Sequence, residues 1–415
     1  MRTPSTQQDT LRRAARLAAA GLCLLAACTD PGGSPLHTGA DAAPRGNQSN
    51  GGPLFVDATG DRLPGTPGSS MDSRAADVDG DGDLDVLVAK EVMPNVLLLN
   101  DGAGRFAVSA GRIPAGAHDS EDVAVADLDR DGDPDVVIAG EDDQASELYL
   151  NDGRGFFTDA SSRLPTRGTS NSVAAVDVDG DGDADLLFGN DGQDFLFING
   201  GGHFSDQTHT RLPAVADVTQ DVEVGDVDGD GDPDVVLGNV GANRLLLNDG
   251  RGFFTEAARE RLPLHSSVEE TREAELADVD GDGDLDLYFA NLAFVAGADL
   301  QDRLLINDGR GFFSDQTAQR IGKDASYTLD AEFVDLDRDG DLDLLTANVN
   351  DTKPCRAFLN DGAGKFREAT GSVLPSGLSG PAIDLEVADF DGDGRLDLYL
   401  SSYVAGADRL LLGRE

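Results

Sequence analysis

Nine residues near position 80 constrain this chain more than any other stretch. Asp77-Val78-Asp79-Gly80-Asp81-Gly82-Asp83-Leu84-Asp85 puts a carboxylate on every alternate residue and leads straight into the apolar run VLVA. The pattern begins again at Asp127, Asp177, Asp226, Asp278, Asp335 and Asp389, in steps of 50, 50, 49, 52, 57 and 54 residues. A period of that size marks a repeat architecture, in which each unit buries its apolar surface against the next.

Within every copy the first, third, fifth and ninth positions are Asp. The sixth is Gly: Gly82, Gly132, Gly182, Gly231, Gly283, Gly340 and Gly394. Alternate carboxylates that converge on one point suit a hard cation with oxygen ligands, and the sixth-position Gly permits the sharp turn between them. The seventh position is expected to offer its backbone carbonyl, in keeping with its being Asp in six copies and Arg395 in the last. The candidate metal residues are therefore Asp77, Asp79, Asp81, Asp83 and Asp85; Asp127, Asp129, Asp131, Asp133 and Asp135; Asp177, Asp179, Asp181, Asp183 and Asp185; Asp226, Asp228, Asp230, Asp232 and Asp234; Asp278, Asp280, Asp282, Asp284 and Asp286; Asp335, Asp337, Asp339, Asp341 and Asp343; and Asp389, Asp391, Asp393, Arg395 and Asp397. Two carboxylates about 5 Å apart repel by roughly 3 kcal/mol at an effective dielectric of about 20. Four ligand carboxylates without a cation would have to spread or take up protons. Up to seven structural Ca²⁺ are expected.

The composition follows from the loops. The chain has 78 acidic and 32 basic residues, and 34 of the acids lie in the seven loops. Nucleic acid and anionic lipid surfaces are poor partners for such a charge.

Residues 1–27 read as an export signal, with Arg12, Arg13 and Arg16 ahead of an apolar run from Leu17 to Ala27 that is too short to span a bilayer. The run ends Leu25-Ala26-Ala27-Cys28, which resembles the lipobox of bacterial lipoproteins and implies cleavage before Cys28 and lipidation of it. Residues 28–53 are rich in Gly, Pro, Ser and Asn and poor in apolar residues, the composition of a disordered tether. With Cys23 cleaved off and Cys28 lipidated, Cys355 stands alone and no intrachain disulfide is expected. The localisation that follows is extracytoplasmic, on a membrane through the lipid alone.

From 54 to 415 each unit reads as four strands. The second unit has EDVAVAD (121–127) into the loop, DVVIAG (135–140) out of it, ELYLND (147–152), and GFFTDAS (155–161) after a tight Asn/Asp/Gly turn. Seven such units predict an all-β fold, a seven-bladed β-propeller of four-stranded antiparallel blades. The seventh unit stops at RLLLG (409–413), and its missing strand stands at the other end of the sequence: Leu54 to Thr59, then Arg62-Leu63-Pro64, match FFTDAS and Arg163-Leu164-Pro165 of the second unit. The N-terminal strand is expected to close the last blade and remove the open edges.

On these loops and strands the chain resembles FG-GAP or VCBS-type repeat proteins, the family that includes the propeller heads of integrin α chains. The resemblance covers 54–415 and implies calcium in the loops, which lie on one face of the disc, with ligands on the opposite face. All seven units carry the loop here, whereas integrin heads carry it in only some.

Five residues before each loop stand Asp72, Asp122, Ser172, Asp221, Glu273, Asp330 and Asp384; three before it, units four to seven have Glu223, Glu275, Glu332 and Glu386. Alternation puts both positions on one side of the innermost strand, at the mouth of the central channel away from the loops. They either bind a cation or basic ligand, or hydrogen-bond between blades, to backbone amides or to arginines such as Arg244, Arg303 and Arg409. The histidines His37, His118, His203, His209 and His265 form no catalytic motif. The repeat accounts for 54–415, so no separate catalytic module is expected.

The reading is a calcium-binding, lipid-anchored, monomeric scaffold for adhesion or binding, with a protein or glycan ligand on the face opposite the loops. A hydrolase or lyase with a carboxylate site at the channel mouth is the alternative. The connections on that face vary in length, and Phe294, Tyr327 and Tyr403 in them are candidate contacts.

Overall fold

The computed structural model describes residues 52–414 except 142–143, 166, 266, 324–325 and 350–352. The export signal, Cys28 and the tether as far as residue 51 lie outside the described residues. Seven four-stranded antiparallel units follow one another along the chain. The innermost strands are Ser70–Ala76, Ser120–Ala126, Ser170–Val176, Asp217–Gly225, Glu269–Ala277, Thr328–Val334 and Asp384–Ala388. Each ends at a loop, and each second strand begins on the ninth loop residue, from Asp85–Lys90 in blade one to Asp397–Ser401 in blade seven. Short ladders such as Gly192↔Asp217 and Gly241↔Glu269 further join blades three, four and five.

Second strands such as Asp85–Lys90 and Asp135–Gly140 are buried at every residue. They are covered on both faces by neighbouring blades, so their apolar runs are continuous instead of alternating. The core is accordingly a set of seven clusters, one at each junction. Between blades one and two, for example, Leu87, Ala89 and Leu97 pack against Val123, Val136, Ile138 and Tyr149.

Blade seven closes as expected. Phe55–Asp57 pairs antiparallel with Arg409–Gly413 in the register Phe55↔Gly413, Val56↔Leu412, Asp57↔Leu411. The outer strands are shorter than the sequence suggested. GFFTDAS reduces to Thr158–Asp159, because Asp159 Oδ1 accepts the amide of Ser161 at 2.9 Å and turns the chain into a helical turn at Ser161–Arg163. Asp57 does the same to Thr59 at 3.0 Å, so the closing strand ends at Asp57 and a helical turn occupies Thr59–Arg62. The third strand of blade two stops at Leu150, and the Asn151 amide bonds to Asp135 Oδ1 at 2.8 Å.

Six innermost strands have a register shift between the seventh and fifth residues before the loop (in blade one, between the seventh and fourth), as between Ser120 and Asp122. In five of them it falls before the fifth position, and leaves the fifth and third positions on one side of the strand.

Candidate metal centres

Each loop is wound around its first carboxylate. In blade one Asp77 Oδ1 accepts the amides of Gly80 (2.8 Å) and Asp81 (3.2 Å), and Oδ2 accepts that of Gly82 (3.0 Å). The sixth-position Gly is left-handed in every copy, with φ from +78° to +96°. The fourth position is left-handed too, a requirement the sequence reading missed. Five blades meet it with Gly, while Arg130 and Arg338 meet it at φ +64° and +63°. These two side chains reach the next blade's loop, at the Asp181 and Gly394 carbonyls (2.9 and 2.6 Å).

The ninth-position Asp is buried in all seven blades. Its Oδ2 accepts the amide of the second loop residue and its Oδ1 accepts an amide at the end of the third strand. For Asp234 these are Val227 at 3.2 Å and Asn248 at 2.9 Å; for Asp397 they are Phe390 at 2.9 Å and Gly413 at 2.8 Å. Burial pushes Asp85, Asp185, Asp234 and Asp286 up to about 7 and Asp135, Asp343 and Asp397 to about 6, against the opposing effect of the two amides.

In blades one to six the seventh-position Asp side chain faces away from the loop, while Arg395 in blade seven turns back and pairs with Asp393. A Cβ on Gly102 would fall 2.4 Å from Asp83 Oδ2, so the hairpin Gly makes room for that carboxylate, and Gly201 donates its amide to Asp183 Oδ2 at 3.1 Å. This agrees with a side chain that is no ligand, as Arg395 suggested.

Carboxylate oxygens of positions one, three and nine in blades one to three, and of one, three and five in blades four and five, lie within 4.8 Å of one another. Oxygens on opposite sides of a cation at about 2.4 Å would be about 4.8 Å apart. The donor set passes a sharper test. At the third position, Oδ1 of Asp79, Asp129, Asp179, Asp228, Asp280 and Asp391 is buried without a hydrogen-bond partner. A buried carboxylate oxygen without a donor is costly, and the same atom is left so in six blades. These residues fit a hard divalent cation.

The other carboxylate cluster resolves differently. The acids five residues before the loops stand within the innermost strands, and they clasp blade to blade. Asp72 accepts the amide of Val123 (2.8 Å), Asp122 that of Val173 (2.7 Å), Asp221 that of Ala274 (3.0 Å) and Asp330 that of Leu385 (2.7 Å), while Asp384 accepts from the Ser73 hydroxyl. Ser172, where the series lacks an acid, accepts the Val222 amide in the same way. Burial raises Asp221 and Asp384 to about 7 and Glu273 upward. The arginines named from the sequence lie elsewhere: Arg244 pairs with Glu256, Arg303 with Glu269, Arg409 with Asp57. Among the described residues the cation that pairs with the channel acids is Arg74, 3.6 Å from Asp72 and Glu386. Its signal was visible, since it stands at the position where units four to seven carry Glu.

On the face away from the loops, Phe294 packs 5.6 Å from the Arg272 guanidinium and Tyr403 reaches Glu91, while Tyr327 is exposed. Other apolar side chains are exposed in the connections there: Val92, Val215, Leu264, Val268 and Val404.

A family profile described as FG-GAP-like repeat matches residues 77–138, 127–188, 177–237, 226–289, 292–346 and 347–400. No curated protein matches. Among solved structures the chain is similar to BBS1N in complex with ARL6DN, with 12% identity over 88% of this chain and 98% of that one and a TM-score of 0.56. It is also similar to YCF48 bound to D1 peptide, with 10% identity over 92% and 100% of the two chains and a TM-score of 0.55. A third is the extracellular domain of a one-component system from B. thetaiotaomicron, with 13% identity over 86% of this chain and 39% of that one and a TM-score of 0.50. At such identities the likeness is one of fold.

Proposed function

This chain belongs to the FG-GAP-like repeat family, and we propose that it is a calcium-loaded, lipid-anchored propeller of the bacterial envelope. It serves as a scaffold for binding or adhesion and offers the face opposite the loops to a protein or glycan partner. Calcium is the cation that suits oxygen donors drawn from carboxylates and a backbone carbonyl in a loop of this spacing. Cys28 carries the lipid in this reading and the tether holds the propeller off the membrane.

One observation carries the assignment of the binding face. Val92, Val215, Leu264, Val268, Tyr327 and Val404 are exposed there, and Leu264 is 91% exposed. All six lie in connections that differ from blade to blade, while the loop face repeats one pattern. Variable apolar loops on a rigid ring are suited to recognition. BBS1N and YCF48 are held with a protein and a peptide partner, a fold-level analogy in the same direction. An enzymatic role gains little support, since most of the channel carboxylates already hold amides, a hydroxyl or Arg74.

The test is capture of partners from envelope extract with and without calcium, by the native protein, by the double variant Leu264→Asp/Val404→Asp, and by Asp282→Ala. Loss in the double variant with retention in Asp282→Ala is expected. The reverse pattern, with the stability of Asp282→Ala unchanged, would put the binding face on the loop side.

A further inference from the structure

We infer that one arginine per blade, just after the outer strand, positions the cation site of its own blade and fastens that site to the next blade. The inference rests on the reading of the loops as cation sites. The residues are Arg62, Arg112, Arg163, Arg211, Arg261 and Arg320, in blades seven and one to five.

In five of these blades a guanidinium nitrogen lies 2.9–3.5 Å from Oδ2 of the third loop Asp: Arg112 with Asp79, Arg211 with Asp179, Arg261 with Asp228, Arg320 with Asp280 and Arg62 with Asp391. All six also donate to a carbonyl in the following blade's hairpin. Arg112 reaches Arg154 O and Arg211 reaches Arg251 O, both at 2.9 Å, and Arg163 reaches Gly202 O at 3.2 Å. Arg62, Arg261 and Arg320 bond to the carbonyls of Ala103, Arg310 and Ala363. A planar guanidinium serves two such acceptors at once in a fixed direction.

The arginine and the unpartnered oxygen occur together. In the six blades that have the arginine, Oδ1 of the third Asp is buried without a hydrogen bond. Blade six has Val373 at the corresponding place, inside the apolar core, and its third-position Asp337 is exposed, whereas the other six are half-buried. The arginine binds one carboxylate oxygen and thereby turns the other into the loop, where a cation is the partner it lacks. Cation loading then stiffens the same carboxylate that holds the neighbouring blade through the arginine. Blade six, without this residue, holds the weakest site.

The chain has no Trp, and the Phe156 ring lies 4.8 Å from the Arg112 guanidinium carbon. Phe156→Trp therefore places a single indole beside Arg112 and the blade-one loop, and the change that Arg112→Gln makes in terbium luminescence excited through it reports that loop. Saturable emission displaced by calcium is expected, with a midpoint that rises at least tenfold when Arg112→Gln is added. Calorimetry of the otherwise native protein with calcium should resolve six tighter sites and one weaker by at least tenfold. If Arg112 is merely a clasp between blades, Arg112→Gln lowers the melting temperature equally in chelator and in calcium and leaves the terbium midpoint unchanged; that result overturns the inference and leaves the cation sites standing. Seven equal sites overturn it as well. Should Arg112→Gln fail to fold, Arg112→Lys is measured instead, with at least a threefold rise expected and no rise overturning the inference. Absence of both terbium emission and calcium heat in the parent protein would defeat the cation reading itself, and the inference with it.

Discussion

Asp234 and Asp230 belong to one loop, yet their replacement by Ala should act through different parts of the free energy. Asp234 is buried and accepts the amides of Val227 and Asn248. Its loss leaves two buried N–H groups without acceptors at about 1–3 kcal/mol each, or about 2–6 kcal/mol with or without calcium. Asp230 is exposed and accepts only the amide of Asp232, which water can serve instead. Its loss should cost less than about 0.5 kcal/mol in chelator. With free calcium at 100 times the dissociation constant, a lost site costs about 2.7 kcal/mol more. An unfolding entropy of about 2.1 cal/mol/K per residue over about 360 residues makes each kcal/mol worth roughly 1.3 °C in Tm. Calorimetric melting should therefore show Asp234→Ala lower by about 3–8 °C in chelator and by about 6–11 °C in calcium. Asp230→Ala should be unchanged in chelator and lower by about 3–4 °C in calcium. If Asp234→Ala melts within about 1 °C of the native protein in chelator, the ninth position is a ligand without the structural role argued here. If neither variant responds to calcium, the loops hold no cation.

Three further outcomes are expected. The metal-stripped protein should lose stability as pH rises from 5 to 8: the folded-state values of Asp221, Glu332 and Asp384 stand at about 7 and that of Glu223 at about 8, above the unfolded carboxylate range, so their contribution is complete below about pH 4 and disappears as pH climbs through 7–8; a melting temperature that rises over that interval would contradict it. A chain beginning at Pro64 should melt lower and aggregate more than one beginning at Gly52, since it loses the ladder to Arg409–Gly413 and the buried Phe55, worth about 3–5 kcal/mol by itself; equal stability would refute the closure. Cys28→Ser should release the protein from membranes or leave an unprocessed precursor, and a processed variant that stays on the membrane would place the anchor elsewhere.

The repeat was legible because its period and its loop are local in sequence, and the closing strand because LFVDAT followed by Arg62-Leu63-Pro64 matches FFTDAS followed by Arg163-Leu164-Pro165. What the sequence concealed were relations between residues far apart. Arg112 and Asp79 are 33 positions apart, and nothing local says that a residue after the outer strand returns to the loop beside the innermost one. The recurrent Arg-Leu-Pro was visible, but as a marker of register. Arg74 was in view and passed over for the opposite reason: it breaks a series of acids, so a search for what recurs misses the residue that pairs with it. The outer strands were overestimated because Asp57 and Asp159 carry strand-like neighbours on one side and begin helical turns on the other.

The junction between blades six and seven shows how the fold replaces one kind of contact with another. At the other junctions a hairpin Asn donates its side-chain amide to the preceding blade's loop carbonyl, as Asn151 does to Val78 and Asn360 to Val279, both at 2.8 Å. Blade seven takes its outer strand from the other end of the ring and so has Gly413 where that Asn would stand. Without the hairpin there is also no carbonyl for an arginine to hold, and Val373 occupies the arginine's place. The apolar cluster at this junction is correspondingly the largest, with fourteen buried residues that include Phe55, Val373 and Leu411, against eight to ten elsewhere. Apolar burial needs no partner of fixed geometry, which makes it the contact available where two separate ends of the chain must meet. On the loop face Arg338, left-handed and bonded to Gly394 O, still ties the two blades. The seam should therefore respond to temperature and apolar substitution more than to chelator, while the six clasped junctions respond to both.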